Sequence, residues 1–136
     1  MNPDDVKVLV SYRVNQAEAA LNDAKVLLDS DCTPASIINR SYYAMFYGAL
    51  AALQTVGKTP SKHAGVLSLF NQEFVLTGGI SRQFGRYIHR AFELRQSADY
   101  GISTPVDKKA AQEVLVQAKD FVDAVKTHLI GQGWLK

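Results

Sequence analysis

Four prolines punctuate this chain, and each stands directly behind a residue able to cap a helix: Asn2-Pro3, Thr33-Pro34, Thr59-Pro60 and Thr104-Pro105. Proline suits the first helical position because its missing N–H has no partner there anyway. It also pushes the preceding residue toward the extended backbone of an N-cap. The pairs therefore predict four helix starts. Asp5 and Asp107 follow Asn2 and Thr104 by three residues, the spacing of a capping box, and complement the positive end of a helix. A fifth start needs no proline: Gly78-Gly79 breaks the preceding run and Ser81 caps the next segment. Gly57, Gly78 and Gly101 supply stops. The segments are 3–29, 34–56, 60–76, 81–99 and 105–130, and none alternates polar and apolar residues with the period of a strand. The reading is all-α. One bundle of about five helices, built on an up-and-down four-helix core, is expected to form a single domain over 1–136. Residues 130–136 are expected to fray, with Trp134 as the residue able to pin them.

Composition narrows the class of function. Hydrophobic residues make up 47% and charged residues 21%, which excludes disorder and solvated helical rods. A net charge of +2 is too balanced to imply a nucleic-acid partner from global charge, so any such surface must be local. Cys32 is alone and can form neither an internal disulfide nor a paired-cysteine metal site. The N-terminus carries two aspartates where a signal peptide needs positive charge, and no long apolar region comes after them. The longest strongly apolar run, Ser41 to Leu53, is well short of the roughly 20 residues that cross a bilayer. The expectation is a cytoplasmic protein with no membrane contact.

That run lies in a helix apolar on nearly every side. Ala44, Gly48 and Ala52 lie four apart and admit another backbone closely, while Arg40, Tyr43 and Tyr47 line a neighbouring strip with polar ends. Such a helix needs protein all round it. A second subunit is the expected source of the missing side, which makes a homodimer the expected assembly.

Candidate chemistry gathers in SRQFGRYIHRAFELRQSADYG. Arg82, Arg86 and Arg90 form a cationic stripe beside His89, readable as a phosphate-binding edge or as a solvated face paired with acids elsewhere. Arg95 and Asp99 are also four apart, but an acid near a helix C-terminus opposes the dipole, and arginine before aspartate is the weaker order for a local pair. Asp99 therefore looks beyond its own helix, and Arg95, Asp99 and Tyr100 become candidates to line a groove or to lock two helices together. His63 opens the third segment, where the helix end disfavours imidazolium and a neutral ring could accept a proton. A lone histidine near a helix start is more often a packing or capping residue. No HExxH, Walker loop, GxSxG, paired Cys-x-x-Cys or repeated carboxylate–histidine pair occurs, so neither a metal nor a cofactor is expected.

Three stretches, RSYYAMFYGAL, SKHAGVLSLFNQEFVLTGG and RAFELRQSADYG, resemble in order and spacing the small stand-alone HEPN domain proteins of bacteria and archaea, over about residues 8–128. The resemblance implies a five-helix bundle, usually a symmetric dimer, often paired with a separately encoded minimal nucleotidyltransferase as toxin and antitoxin. Many HEPN proteins are metal-independent ribonucleases whose motif is an arginine followed, after four to six residues, by histidine. Here the corresponding positions after Arg95 are Tyr100, Gly101 and Ile102. The resemblance thus carries over Arg95, with Asp99 and Tyr100 beside it and Arg40, Tyr43 and His63 as secondary ligand-binding candidates. Three functions are compatible with it: a binding module for nucleotide or RNA; a ribonuclease in which Arg95 steadies the phosphorane and His63 or Tyr100 replaces the missing histidine; and a structural dimer.

Overall fold

A computed structural model describes residues 2–100 and 106–136, with the side chains of Asp99 and Tyr100 outside the description. Five helices and no strand occur among the described residues: α1 (Pro3–Asp29), α2 (Pro34–Gln54), α3 (His63–Phe70), α4 (Arg82–Tyr100) and α5 (Lys108–Gly131). A single π turn, Asn71–Val75, continues α3.

The first two starts obey the proline rule. Asn2 accepts a hydrogen bond from the Asp5 N–H at 2.9 Å, and the Thr33 hydroxyl accepts from the Ser36 N–H at 3.4 Å. The other two pairs behave differently. Pro60 does not open a helix: α3 starts at His63, with Lys62 at the cap position making no side-chain cap bond. Pro60 instead lies beside Gly65, where an added Cβ would sit 3.4 Å from the proline ring. At α5 the cap is Asp107, whose carboxylate accepts from the Ala110 N–H at 2.8 Å. Asp107 thus takes the role assigned to Thr104, in keeping with aspartate's better acceptance at an N-cap. Thr104, Pro105 and the Gly101 stop lie outside the described residues. Gly57 and Gly78 do end their segments in the left-handed conformation, at φ 71° and 84°.

The core is organised round α2, which α1, α3, α4 and α5 all contact. Where Ala17 and Ala20 of α1 meet Ala44 of α2 and Val122 of α5, small side chains let the three helices pack closely. Gly48 faces Phe121, with room for a Cβ at 3.4 Å from the ring. The Ala44–Gly48–Ala52 strip is therefore filled by this chain's own α1 and α5. That side of α2 is covered from within, while Tyr43, Phe46, Tyr47 and Leu50 are only half-buried.

On α5 a buried stripe runs from Val114 through Ala118, Phe121 and Val125 to Leu129. The Trp134 N–H donates to the Leu129 carbonyl at 2.8 Å, and Trp134 and Leu135 pack against the core.

Gly48 gives a stability test of this packing. Gly48→Ala should be tolerated, since the methyl group makes ordinary contact with Phe121 and removes a glycine from a helix interior. Gly48→Leu should cost about 1–3 kcal/mol by forcing Phe121 aside, read as a lower urea midpoint.

Candidate functional site

Tyr42 begins the site. Its ring is fully buried on α2, and a buried phenol needs a polar partner. The partner is His63: the Tyr42 hydroxyl and His63 Nδ1 are 2.7 Å apart. The imidazole also stacks on Phe46 at 4.4 Å between ring centroids, so α3 is anchored to α2 through its first residue. Tyr42 and Phe46 are one helical turn apart and present a single aromatic ridge. Phe92 of α4 packs on the same Tyr42 ring at 5.8 Å.

Arg95 lies one turn beyond Phe92. Its guanidinium carbon is 5.4 Å from the centre of the Tyr42 ring and 5.2 Å from that of Tyr43. Arg40 approaches the Tyr43 ring too, at 5.0 Å, while its Nε and Nη2 donate to the Asn39 amide oxygen at 3.1 and 3.0 Å. Two cations thus gather round one half-buried tyrosine. Each such contact is favourable by about 0.5–2 kcal/mol, depending on desolvation. Among the described residues Arg40 has no carboxylate within 4 Å.

The electrostatics follow from this geometry. Burial is the main influence holding the Tyr42 phenol well above the ordinary tyrosine range, so it stays protonated. Burial, then the nearby Arg95 charge, pushes His63 below the usual histidine value and favours the neutral ring. With Nδ1 engaged by Tyr42, Nε2 has no hydrogen-bond partner among the described residues.

The structure therefore brings together Arg40, Tyr43, His63 and Arg95, four positions expected from the sequence. It adds Tyr42, Phe46 and Phe92, which the sequence alone does not single out. Their signal was spacing: Tyr42 to Phe46 is four residues, and Phe92 to Arg95 is three. The placement of the Asp99 and Tyr100 side chains beside Arg95 lies outside the described residues.

The arginine stripe divides. Arg90 turns to α5, donating to Glu113 at 3.0 Å and to Gln117 at 3.3 Å. Arg82 and Arg86 remain exposed with no carboxylate within 4 Å among the described residues. With His89 they edge a groove of about 640 Å³ between α3 and α4, floored by Leu67, Val75 and Phe92. His89 pairs with Glu93 at 2.6 Å.

Comparison with known proteins decides the family. The sequence matches the HEPN domain over residues 10–128. The chain belongs to the HEPN family. A Thermotoga maritima relative named UPF0332 protein is 37% identical over 118 residues, covering 87% of this chain and 89% of its own. Two Methanocaldococcus jannaschii proteins bear the name "Putative toxin". One is 34% identical over 125 residues, covering 92% of each chain. The other is 33% identical over 123 residues, covering 90% of this chain and 83% of its own. The all-α bundle is thus the fold of a HEPN protein. Among the described residues no helix is long and apolar enough to cross a membrane.

The depressed His63 pKa has a consequence for stability. The unfolded chain, with His63 near 6.5, takes up its proton at a higher pH than the folded chain does. Stability should therefore be full above that value and fall as pH drops through it toward the folded pKa. His63→Gln should flatten this part of the profile, as measured by urea unfolding between pH 7.5 and pH 5, a range chosen to bracket the ordinary histidine value of about 6.5. In a proton NMR titration of the wild type, His63 should protonate below the ordinary histidine value of about 6.5.

Proposed function

We propose that this HEPN protein is a toxin-type component that binds a nucleotide or RNA at the Arg40–Tyr43–His63–Arg95 cluster and works with a nucleotidyltransferase partner. One observation carries the reading: two guanidinium groups converge on one tyrosine ring, at 5.0 and 5.2 Å. Gathered like charges raise the local positive potential, and an anion placed against both relieves their repulsion. A guanidinium presents a planar fork of donors matched to phosphate, and aromatic faces can stack on a base. The cluster offers both chemistries within one short stretch of α2 and α4.

The toxin-type role is supported by the names of the two Methanocaldococcus jannaschii relatives, and the nucleotidyltransferase partner by what the family resemblance implies. Homodimer assembly belongs to the same reading and is supported by that resemblance, since the close-packing strip of α2 is occupied from within. The exposed free thiol of Cys32 suits a reducing cytosol.

A second reading, metal-independent RNA cleavage, is favoured by the neutral His63 beside Arg95. There His63 would take the proton of the attacking 2′-hydroxyl as its oxygen bonds to phosphorus, Arg95 would stabilise the charge developing on the phosphorus oxygens, and the P–O5′ bond would break with the departing 5′-oxygen taking a proton from water.

Binding is tested by incubating the full chain with mixed labelled RNA and nucleotides, without metal, and measuring both retention and cleavage. Arg95→Ala should lower retention by about ten- to a hundredfold, the worth of a charge-assisted phosphate contact. It should leave the helical circular dichroism intact, and wild-type retention should weaken as salt rises. Absence of retention by the wild type, or retention unchanged in the variant, overturns the proposal. Cleavage that is lost in His63→Ala would select the second reading.

A further inference from the structure

We propose that the groove between α3 and α4 docks an acidic, amphipathic peptide segment of a protein partner, with carboxylates on Arg82 and Arg86 and apolar side chains on the groove floor. This groove adjoins the Arg40–Arg95 cluster through Phe92 but does not depend on the function proposed for it.

The groove is built by a close approach of two helices. A Cβ at Gly85 of α4 would lie 3.3 Å from Asn71 Oδ1 and 3.4 Å from Val75 Cγ2, so glycine lets α4 press against the π turn there. Leu67 and Val75 form a buried aliphatic floor, and Leu76, at its end, is left 74% exposed. Water meets apolar surface along this line, which an apolar partner would cover favourably.

The charge along the edge is uneven. Arg82 and Arg86 have no carboxylate within 4 Å among the described residues, whereas His89 is already matched by Glu93. The unanswered positive charge thus sits at the Leu76 end. Two carboxylates four residues apart on a partner helix have the spacing of Arg82 and Arg86 on α4, and flanking leucine or isoleucine residues would reach the floor. RNA fits less well. Its phosphates could meet the arginines, but the largely aliphatic floor offers bases little to stack on beyond Phe92 and the edge residue His89, which is matched by Glu93.

The test uses the full chain and a panel of fluorescently labelled helical peptides carrying a leucine stripe with two glutamates four apart. Matched peptides with glutamine in place of glutamate, and labelled oligouridylate, serve as controls. Saturable binding of glutamate peptides is expected. Arg82→Glu with Arg86→Glu should weaken it by about tenfold or more, and the glutamine peptides should lose a similar factor. Leu76→Asp should weaken it too. The double variant should keep its helical circular dichroism and its retention of RNA and nucleotide, which separates this site from the Arg95 cluster. Failure of every glutamate peptide to bind overturns the proposal, as does binding indifferent to charge reversal. Capture of oligouridylate that disappears in the double variant also overturns it, by giving the groove to RNA.

Discussion

A phenol buried in a helical core has to be answered by a polar group, and much of this molecule's functional end is arranged around that demand. Tyr42 is wholly buried on the most enclosed helix, and its hydroxyl reaches His63. Leaving that hydroxyl unpaired would cost about 1–3 kcal/mol. The bond therefore holds the first turn of α3 against α2 and sets where α3 begins, three residues after Pro60. It also engages one imidazole nitrogen while burial and Arg95 keep the ring neutral. A single packing requirement thus yields an oriented, uncharged histidine next to a cation.

Much of the helical layout was legible because capping and proline chemistry are local. Asn2 and Thr33 act through residues three positions away, and nothing distant competes with them. The starts expected at Thr59-Pro60 and Thr104-Pro105 fall instead at His63 and Lys108, where a tertiary contact or a better acceptor displaces the local preference. That α2 needs cover on most sides is legible in its sequence. Which helices would supply it was not legible, because a sequence shows that a face is apolar without showing what lies against it.

The arginines of α4 show the same boundary. At about 100° per residue, each step of four drifts some 40° round the helix. Arg82 and Arg86 can share one groove, but Arg90 has turned far enough to find Glu113 on α5. Arg95, about 140° from Arg82, reaches the tyrosines of α2 on another side. The three-arginine stripe is thus split over two surfaces, and Arg95, outside it, meets a third. The cluster at Tyr43 was half legible: Arg40 and Tyr43 are close in sequence, but their convergence with Arg95 depends on how α2 and α4 cross.

The π turn after α3 bears on how this groove tolerates change in length. There the Leu76 N–H bonds to the Asn71 carbonyl, five residues back, where an α-helix would bond four back. Such a turn accommodates one residue more than regular winding would. Loss of a single residue from 71–75 could be absorbed by reverting to α-winding, with Val75 and Ile80 kept in the core. Addition of one residue has no comparable outlet, since it would turn the following side chains by about 100° and carry the floor of the groove away from α4. Length variation in this segment is therefore asymmetric: the backbone holds slack in one direction only.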